Sequence, residues 1–441
     1  MAIIMKFGGT SVGTAKSIRN VHDIIKSRLK RKPIVVVSAV GGVTDLLIDC
    51  TEAAVKGEET EEFLKKIDKK HFDILNEFKL PHELVTDRLE EYKKLIEELK
   101  SGSPINKKMM DAVQSFGERM SCKIVAAYLE QQGIKAEAYY AFDVGMISDD
   151  NYGEAEPLPE AYGLLKKNLA NLNKVAVVTG FIAKNKAGEI TTFGRGGSDY
   201  TAAIIGAAVK AEEIQIWTDV SGVLTTDPKI VPEAERIDEL SFAEASELAF
   251  FGAKVLHPKT IIPAVDNNIP VVVLNTHDAQ NPGTKIVKEI KYCTKPVKAI
   301  ARKKDISLVN ITSTRMLFAH GFLAKLFEIF EKYQVSVDMV ATSEISVSLT
   351  INKKVDLIPV IEELERIANV KVEENKAIVC LVGKCMKEVP GTAGRIFKTL
   401  GDNRINIHMI SQGASEINVS FVVDAKDADN SVKVLHKEFF S

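Results

Sequence analysis

Continuous apolar, β-branched runs alternate with amphipathic stretches along the first two-thirds of the chain. Pro33-Ile34-Val35-Val36-Val37-Ser38, Lys174-Val175-Ala176-Val177-Val178-Thr179, Ile214-Gln215-Ile216-Trp217-Thr218 and Pro270-Val271-Val272-Val273-Leu274 read as strands buried on both faces, and Ile3-Ile4 opens a similar run. Short unbroken strands separated by helical patterns predict a mainly parallel sheet covered by helices on both sides, an α/β fold. In such sheets ligands collect beyond the carboxyl ends of the strands. Lys6, Ser38, Gly180 and Thr218-Asp219 all fall at such ends. Residues 52–100 depart from the alternation: rich in Glu, Lys and Leu, they predict amphipathic helices with solvated outer faces.

The pattern changes after Asn281-Pro282-Gly283-Thr284, a strong turn signal. Beyond it the chain repeats itself. Gly321-Phe322-Leu323-Ala324-Lys325-Leu326-Phe327 matches Gly391-Thr392-Ala393-Gly394-Arg395-Ile396-Phe397, an offset of 70. The same offset pairs Val335-Ser336-Val337-Asp338-Met339-Val340 with Ile405-Asn406-Ile407-His408-Met409-Ile410. Each copy reads strand, Gly-capped helix, strand, strand. Two copies of a small α+β unit predict paired modules, because a solenoid needs at least about three repeats.

Composition narrows the class. At 441 residues the chain has room for two or three domains. Its 45% apolar and 27% charged content is that of a globular protein, and a net charge of -2 gives no global attraction for nucleic acid or acidic membranes. The start Met1-Ala2-Ile3-Ile4-Met5-Lys6 lacks the form of a signal peptide, and no apolar run approaches the roughly 20 residues of a membrane helix. Cys50, Cys122, Cys293, Cys380 and Cys385 form no CxxC pair, so five reduced thiols in a cytoplasmic protein are expected. The eight histidines show no ligand spacing, so no protein-built metal cage is expected.

Two glycine-rich motifs carry the candidate chemistry. Met5-Lys6-Phe7-Gly8-Gly9-Thr10-Ser11 and Phe193-Gly194-Arg195-Gly196-Gly197-Ser198-Asp199 each set adjacent glycines between a strand and a helix, where bare backbone N–H groups can meet an anion. Each adds one cation, Lys6 or Arg195. Lys6 is either a phosphate-spanning ammonium or a surface lysine beside a tight turn. Arg195 offers a bidentate fork to a carboxylate, and Ser198 or Asp199 either shapes that site or caps the following helix. Phe116-Gly117-Glu118-Arg119 opens a helix, and Glu118 is either a partner for a substrate ammonium or half of a surface ion pair. Neither GxxxxGK[ST] nor GxGxxG is present, which excludes a Walker site and a dinucleotide fingerprint.

Seven motifs together resemble the aspartokinases and follow their order: KFGGTS, Val37-Ser38-Ala39 through Gly42-Val43-Thr44, FGERM, FGRGGSD, TDVSGV, TTDP, and Phe251-Gly252-Ala253-Lys254-Val255-Leu256-His257-Pro258. The C-terminal duplication is similar to their tandem ACT domains, and the resemblance covers essentially the whole chain. It implies an amino-acid-kinase α/β/α sandwich over 1–290 and a first ACT domain over 305–375. The second ACT domain is implied to be split, 296–304 with 376–441. The implied reaction transfers a phosphoryl group from ATP, with Mg²⁺ held mainly by the phosphates, to L-aspartate, giving 4-phospho-L-aspartate. Lys6, Gly8 and Gly9 would hold phosphates and Asp199 would orient. Ser38, Thr44, Glu118, Phe181, Arg195 and Ser198 would bind aspartate, Glu118 its ammonium and Arg195 its α-carboxylate. Thr218, Asp219, Leu224, Lys229, Lys254 and Val255 would contact the nucleotide. Leu224 and Lys229 stand where many members have Tyr and Arg, which implies a looser ATP loop.

The stretch 335–344 resembles the lysine-sensitive class. Met316, Gly321, Phe322, Leu323, Ser336, Val337, Asp338, Thr342, Ser343 and Glu344 would form the effector pocket, across an interface between subunits of a homodimer or tetramer. The second copy has His408 in place of Asp338, so the effector is expected at the first. With no dehydrogenase segment after the repeat, a monofunctional kinase is expected. Two alternatives stand beside it: a kinase of another amino acid such as glutamate, disfavoured by Glu118 with Arg195, and an inactive ACT ligand sensor.

Overall fold

The computed structural model describes residues 2–102, 104–252, 256–290, 295–316, 320–353, 355–386, 388–412 and 417–440. The chain divides into two compact units. One comprises Met1–Val223, Arg236–Phe242 and Val255–Ile290, the other Leu224–Glu235, Ala243–Lys254 and Lys291–Ser441.

The first unit is built on ten strands: β1 (Ile3–Phe7), β2 (Pro33–Val37), β3 (Ala136–Tyr139), β4 (Val175–Thr179), β5 (Ile182–Lys184), β6 (Ile190–Thr192), β7 (Glu213–Thr218), β8 (Glu239–Ser241), β9 (Val271–Asn275) and β10 (Thr284–Val287). Eight of them form one sheet in the order β3-β4-β2-β1-β7-β9-β10-β8, and β5 with β6 forms a separate hairpin. All neighbours in the large sheet are parallel except β9 with β10. The continuous apolar runs occupy its middle because both of their faces are covered. Ile3, Met5, Phe7, Val35, Val37, Val177 and Trp217 join one core with helices α1 (Ala15–Arg28), α2 (Val43–Val55), α3 (Glu61–Phe78), α4 (Glu83–Lys100) and α5 (Lys107–Gln131). The alternate residues Ile4, Val36 and Ile216 are equally buried. They face the opposite side, where Gly206 lets helix α7 lie directly against Ile214 and Ile4. Helices α6 (Pro159–Leu169) and α7 (Gly197–Val209) belong to this layer, which completes the α/β/α sandwich.

Residues 52–100 are helical as expected. α3 buries Ile67, Ile74, Leu75 and Phe78, and α4 buries Leu89, Tyr92, Ile96 and Leu99, each side chain contributing about 1.5–3 kcal/mol on full burial. Helix α5 corrects the sequence reading. It starts at Lys107, nine residues ahead of Phe116, because the Asn106 side chain accepts the Met109 N–H at 2.9 Å and caps it.

The second unit carries helix α8 (Phe242–Phe250, its first residue in the other unit) and a six-stranded antiparallel sheet. The first unit also holds α9 (Ile262–Asp266). Along the chain this sheet uses β11 (Ala299–Thr312), α10 (Phe322–Lys332), β12 (Val337–Thr342), β13 (Ser346–Asn352), α11 (Ile358–Leu364), β14 (Asn369–Val382), α12 (Thr392–Asp402), β15 (Met409–Ser411), β16 (Asn418–Asp424) and α13 (Ala428–Phe440). The strand order is β12-β13-β11-β14-β16-β15. Strands β11 and β14 run the full length and change conformation midway: Asp305 and Asn375 have φ of 59° and 58°, beside a register shift. Two separate cores therefore form on one sheet. Val309, Ile311, Leu326, Phe330 and Leu349 make one, and Ile300, Val379, Leu381, Ile396 and Phe421 the other. Gly321 and Gly391 sit at the same place in both copies, each capping its helix in the left-handed region.

Cys50, Cys122 and Cys380 are buried and free. Cys385 is disulfide-bonded, which overturns the expectation of a fully reduced chain. Sequence spacing carries no information on thiols that only the tertiary fold brings together.

Candidate active site

Parallel pairing sets the strand ends side by side. Phe7 lies level with Val37 and Trp217, and Val37 with Thr179, so the segments that follow emerge together. The Gly8 N–H donates to the Trp217 carbonyl at 3.2 Å. A Cβ on Gly9 would lie 3.1 Å from the Ala39 carbonyl oxygen and 3.4 Å from Gly41 Cα, so two glycine turns meet where no side chain fits. Beside them Lys6 Nζ is 2.7 Å from Asp199 Oδ1, with the two side chains 12% and 13% exposed.

Glu118 reaches the same place from α5. The helix crosses directly over Ala39 because residue 117 is glycine; a Cβ there would stand 2.6 Å from Ala39 Cβ. That approach lets the Ala39 N–H donate to Glu118 Oε1 at 3.1 Å and Ser121 Oγ donate to the Ser38 carbonyl at 2.7 Å. Glu118 is 3% exposed, and its Oε2 has no hydrogen-bond partner among the described residues. Burial pushes its carboxyl up to about 8, against the opposing pull of the Ala39 N–H and the Lys6 charge. A buried carboxyl with one oxygen uncommitted favours an incoming cation.

The Arg195 motif borders this cluster. Gly194 and Gly196 adopt φ of 70° and 74°, and Gly196 caps α7 without side-chain help. Ser198 and Asp199 lie inside the first turn, so neither is the capping residue. Arg195 is exposed and makes no ion pair among the described residues. Phe181, at φ 70°, is held in an unusual conformation for a bulky residue. Its N–H donates to Thr201 Oγ1 at 2.9 Å and its carbonyl accepts from the Phe193 N–H at 3.0 Å. Ser198 packs so tightly on Gly180 that a Cβ on that glycine would sit 2.5 Å from Ser198 Oγ.

Ser38 and Thr44 are half-buried on the loop and first turn of α2, and Thr218 Oγ1 donates to Asp219 Oδ1 at 3.1 Å beyond β7. Leu224 and Lys229 belong to the other compact unit, where the Ile300 N–H donates to the Thr225 carbonyl at 2.8 Å. Lys254 and Val255 lie outside the described residues.

The pattern of the amino acid kinase family matches residues 1–275, and that of an ACT domain matches residues 379–439. Aspartokinase 1, chloroplastic, of Arabidopsis thaliana is 40% identical over 456 residues, covering 99% of this chain and 80% of its own. The chain belongs to the aspartokinase family. Two solved structures of Escherichia coli aspartokinase III are similar over 100% of both chains. The complex with aspartate and ADP (R-state) has a TM-score of 0.83 at 35% identity, and the complex with lysine and aspartate (T-state) 0.81 at 34%.

The C-terminal unit of this aspartokinase holds the candidate effector residues. Asp338, at the start of β12, is bound by Lys303 Nζ at 2.7 Å through Oδ1, while its buried Oδ2 has no hydrogen-bond partner among the described residues. Lys303 also lies 5.2 Å from the centre of the Phe250 ring. Val337 and Met316 are half-buried, and Gly321 caps the helix that begins with Phe322 and Leu323. Ser336, Thr342, Ser343 and Glu344 are exposed. In the second copy His408 is engaged by Lys376 and Asp424, each at 3.1 Å.

Two contributors had no sequence signal. Lys70, in the stretch read as external helix, donates to the Gly41 carbonyl at 2.8 Å and so steadies the turn that meets Gly9. Thr201, one helical turn after Gly197, supports Phe181. Neither belongs to a glycine motif, and only the fold shows its reach.

Proposed function

We propose that this aspartokinase transfers the γ-phosphoryl group of ATP to the β-carboxylate of L-aspartate, giving 4-phospho-L-aspartate and ADP. The observation that carries the reading is Lys6 paired with Asp199 beside Gly8-Gly9, with the uncommitted oxygen of Glu118 nearby. A carboxylate oxygen of aspartate attacks the γ-phosphorus, the bond to the β–γ bridging oxygen breaks, and ADP leaves with that electron pair. The attacking carboxylate has a free pKa of about 4, so the reaction needs no general base. Its demands are positioning and neutralisation of two anions.

In this reading Lys6 spans the phosphates, and Asp199 holds it in place. Gly8 and Gly9 admit the nucleotide to bare backbone. Glu118 takes the substrate ammonium and Arg195 its α-carboxylate, with Ser38, Thr44, Phe181 and Ser198 closing the pocket. Thr218 and Asp219 would contact the nucleoside, and Leu224, Lys229, Lys254 and Val255 are assigned to the nucleotide by the motifs they stand in. Mg²⁺ arrives with ATP, bound by phosphates and water. The catalytic domain spans 1–290, the first ACT domain 305–375, and the second 296–304 with 376–441.

Lysine is the effector. Its ammonium would replace Lys303 at Asp338, with Met316, Gly321, Phe322, Leu323, Ser336, Val337, Thr342, Ser343 and Glu344 around it. His408 stands where the first copy has Asp338 and offers no carboxylate to an ammonium, which supports assigning the effector to the first copy. The chain pairs with a second copy through its ACT domains; the exposed Leu323, Phe327 and Val340 on α10 and edge strand β12 support this. The test is Lys6→Ala in an assay that traps the acyl phosphate as a hydroxamate. The variant should lose on the order of 10²–10³-fold in turnover with intact folding, and normal turnover would refute the phosphate role.

A further inference from the structure

Asp111 lies on α5 seven residues before Glu118, two turns along and on the same face. It is 1% exposed, a burial that a carboxylate tolerates only with donors around it. Three are present. Oδ2 accepts the Gly153 N–H and the Thr192 N–H, each at 2.9 Å, and Oδ1 accepts the Thr192 hydroxyl at 2.8 Å. Thr192 ends β6, three residues before Arg195. The Ala155 N–H donates to the Thr192 carbonyl at 2.9 Å, and Gly194 presses so closely on the 153–154 turn that a Cβ there would stand 2.7 Å from the Gly153 carbonyl oxygen. Asp111 therefore staples α5 to both strands of chain that set where the Arg195 loop begins.

We propose that Asp111 is a positioning residue for substrate recognition, and that α5 acts as a ruler between the groups that hold the ammonium and the α-carboxylate of the amino acid. The inference rests on the assignment of Glu118 and Arg195 given above. Those two substrate groups share one carbon, so their partners must be spaced closely and kept so. A single rigid helix achieves this, with Glu118 on Ala39 at one level and Asp111 on Gly153 and Thr192, the residues that precede the Arg195 loop in space and in sequence, about 10 Å away along the axis. Substrates whose ammonium is missing or displaced then fail to engage both ends. Glu189, joined to Lys108, Tyr152 and Asn185, ties the same segments together from outside, so the loop stays attached when Asp111 is replaced.

The experiment compares steady-state kinetics of Asp111→Ala, Asp111→Asn, Thr192→Val and Arg195→Ala with the parent chain. Asp111→Ala should raise KM for aspartate by about tenfold or more, since small misplacements are costly, while KM for ATP changes less than about twofold. Asp111→Asn keeps an oxygen for both backbone donors and should restore most of the affinity. Thr192→Val removes one donor and should shift the aspartate KM in the same direction by less, which keeps the test decisive if the alanine variant does not fold. Combined with Arg195→Ala, Asp111→Ala should add little. An unchanged aspartate KM in Asp111→Ala or Thr192→Val, or equal rises for aspartate and ATP, overturns the ruler. An unchanged aspartate KM in Arg195→Ala overturns the α-carboxylate assignment itself.

Discussion

The Lys6–Asp199 pair is the tightest charge contact at the site, and in the proposed reaction Asp199 holds Lys6 and is no base. Asp199→Asn should therefore lower kcat by the same factor at every pH; a loss confined to high pH would contradict this. Glu118 supplies the pH dependence. Burial raises its carboxyl to about 8, so below that pH the free enzyme holds it mostly protonated, and an ammonium must bind the charged form. Aspartate affinity should rise from pH 6 to pH 8 and level off, measured by calorimetric titration, with the rise absent in Glu118→Gln. The stability term has the opposite sense. Between the ordinary carboxyl value and about 8 the folded state holds a proton that the unfolded state releases, so stability falls as pH rises through that window. The melting temperature of the unliganded parent should fall more steeply over it than that of Glu118→Gln. At this scale Lys6 and Glu118 were legible as neighbours of the glycine turns because each sits in a motif at a strand end or on a helix, and Arg195 was legible as the cation of the second glycine motif. Lys70 and Thr201 were not, since they act through contacts to Gly41 and Phe181 that no spacing encodes.

Among the elements, the central strands were legible because burial on both faces writes an unbroken apolar run. The short β5, β6 and β8 carry three residues each, too few for a periodic signal. The start of α5 was misplaced because Phe116-Gly117 resembles a beginning, whereas the glycine serves contact in mid-helix. Gly117→Ala tests that explanation. In an exposed helix the change would gain up to about 1 kcal/mol. Here the added Cβ meets Ala39 Cβ at 2.6 Å, and overpacking costs about 1–3 kcal/mol. Chemical denaturation should show a net loss of stability, together with a raised KM for aspartate; a gain in stability with unchanged KM would refute it.

For the molecule as a whole, the C-terminal duplication was readable as a 70-residue offset, and the structure places both copies on one sheet with two cores. Residues 224–235 were read with the kinase half, yet they fold into the second compact unit, with Ile230 and Val231 in its core. Their loop-like sequence gives no hint of which core they join. Lysine should inhibit the kinase, and Asp338→Ala should abolish that inhibition while leaving uninhibited turnover within about twofold, because RT ln of the lost coupling is spent only when lysine binds. Retained inhibition in Asp338→Ala would remove the effector assignment.

The central claim is the identity of the phosphorylated molecule. The most direct measurement incubates the purified chain with ATP and hydroxylamine and offers aspartate, glutamate or N-acetylglutamate in turn. β-Aspartyl hydroxamate is expected in step with ADP release, with no hydroxamate from the other two. Hydroxamate from glutamate but not from aspartate, or no ATP-dependent hydroxamate from aspartate at all, would contradict it.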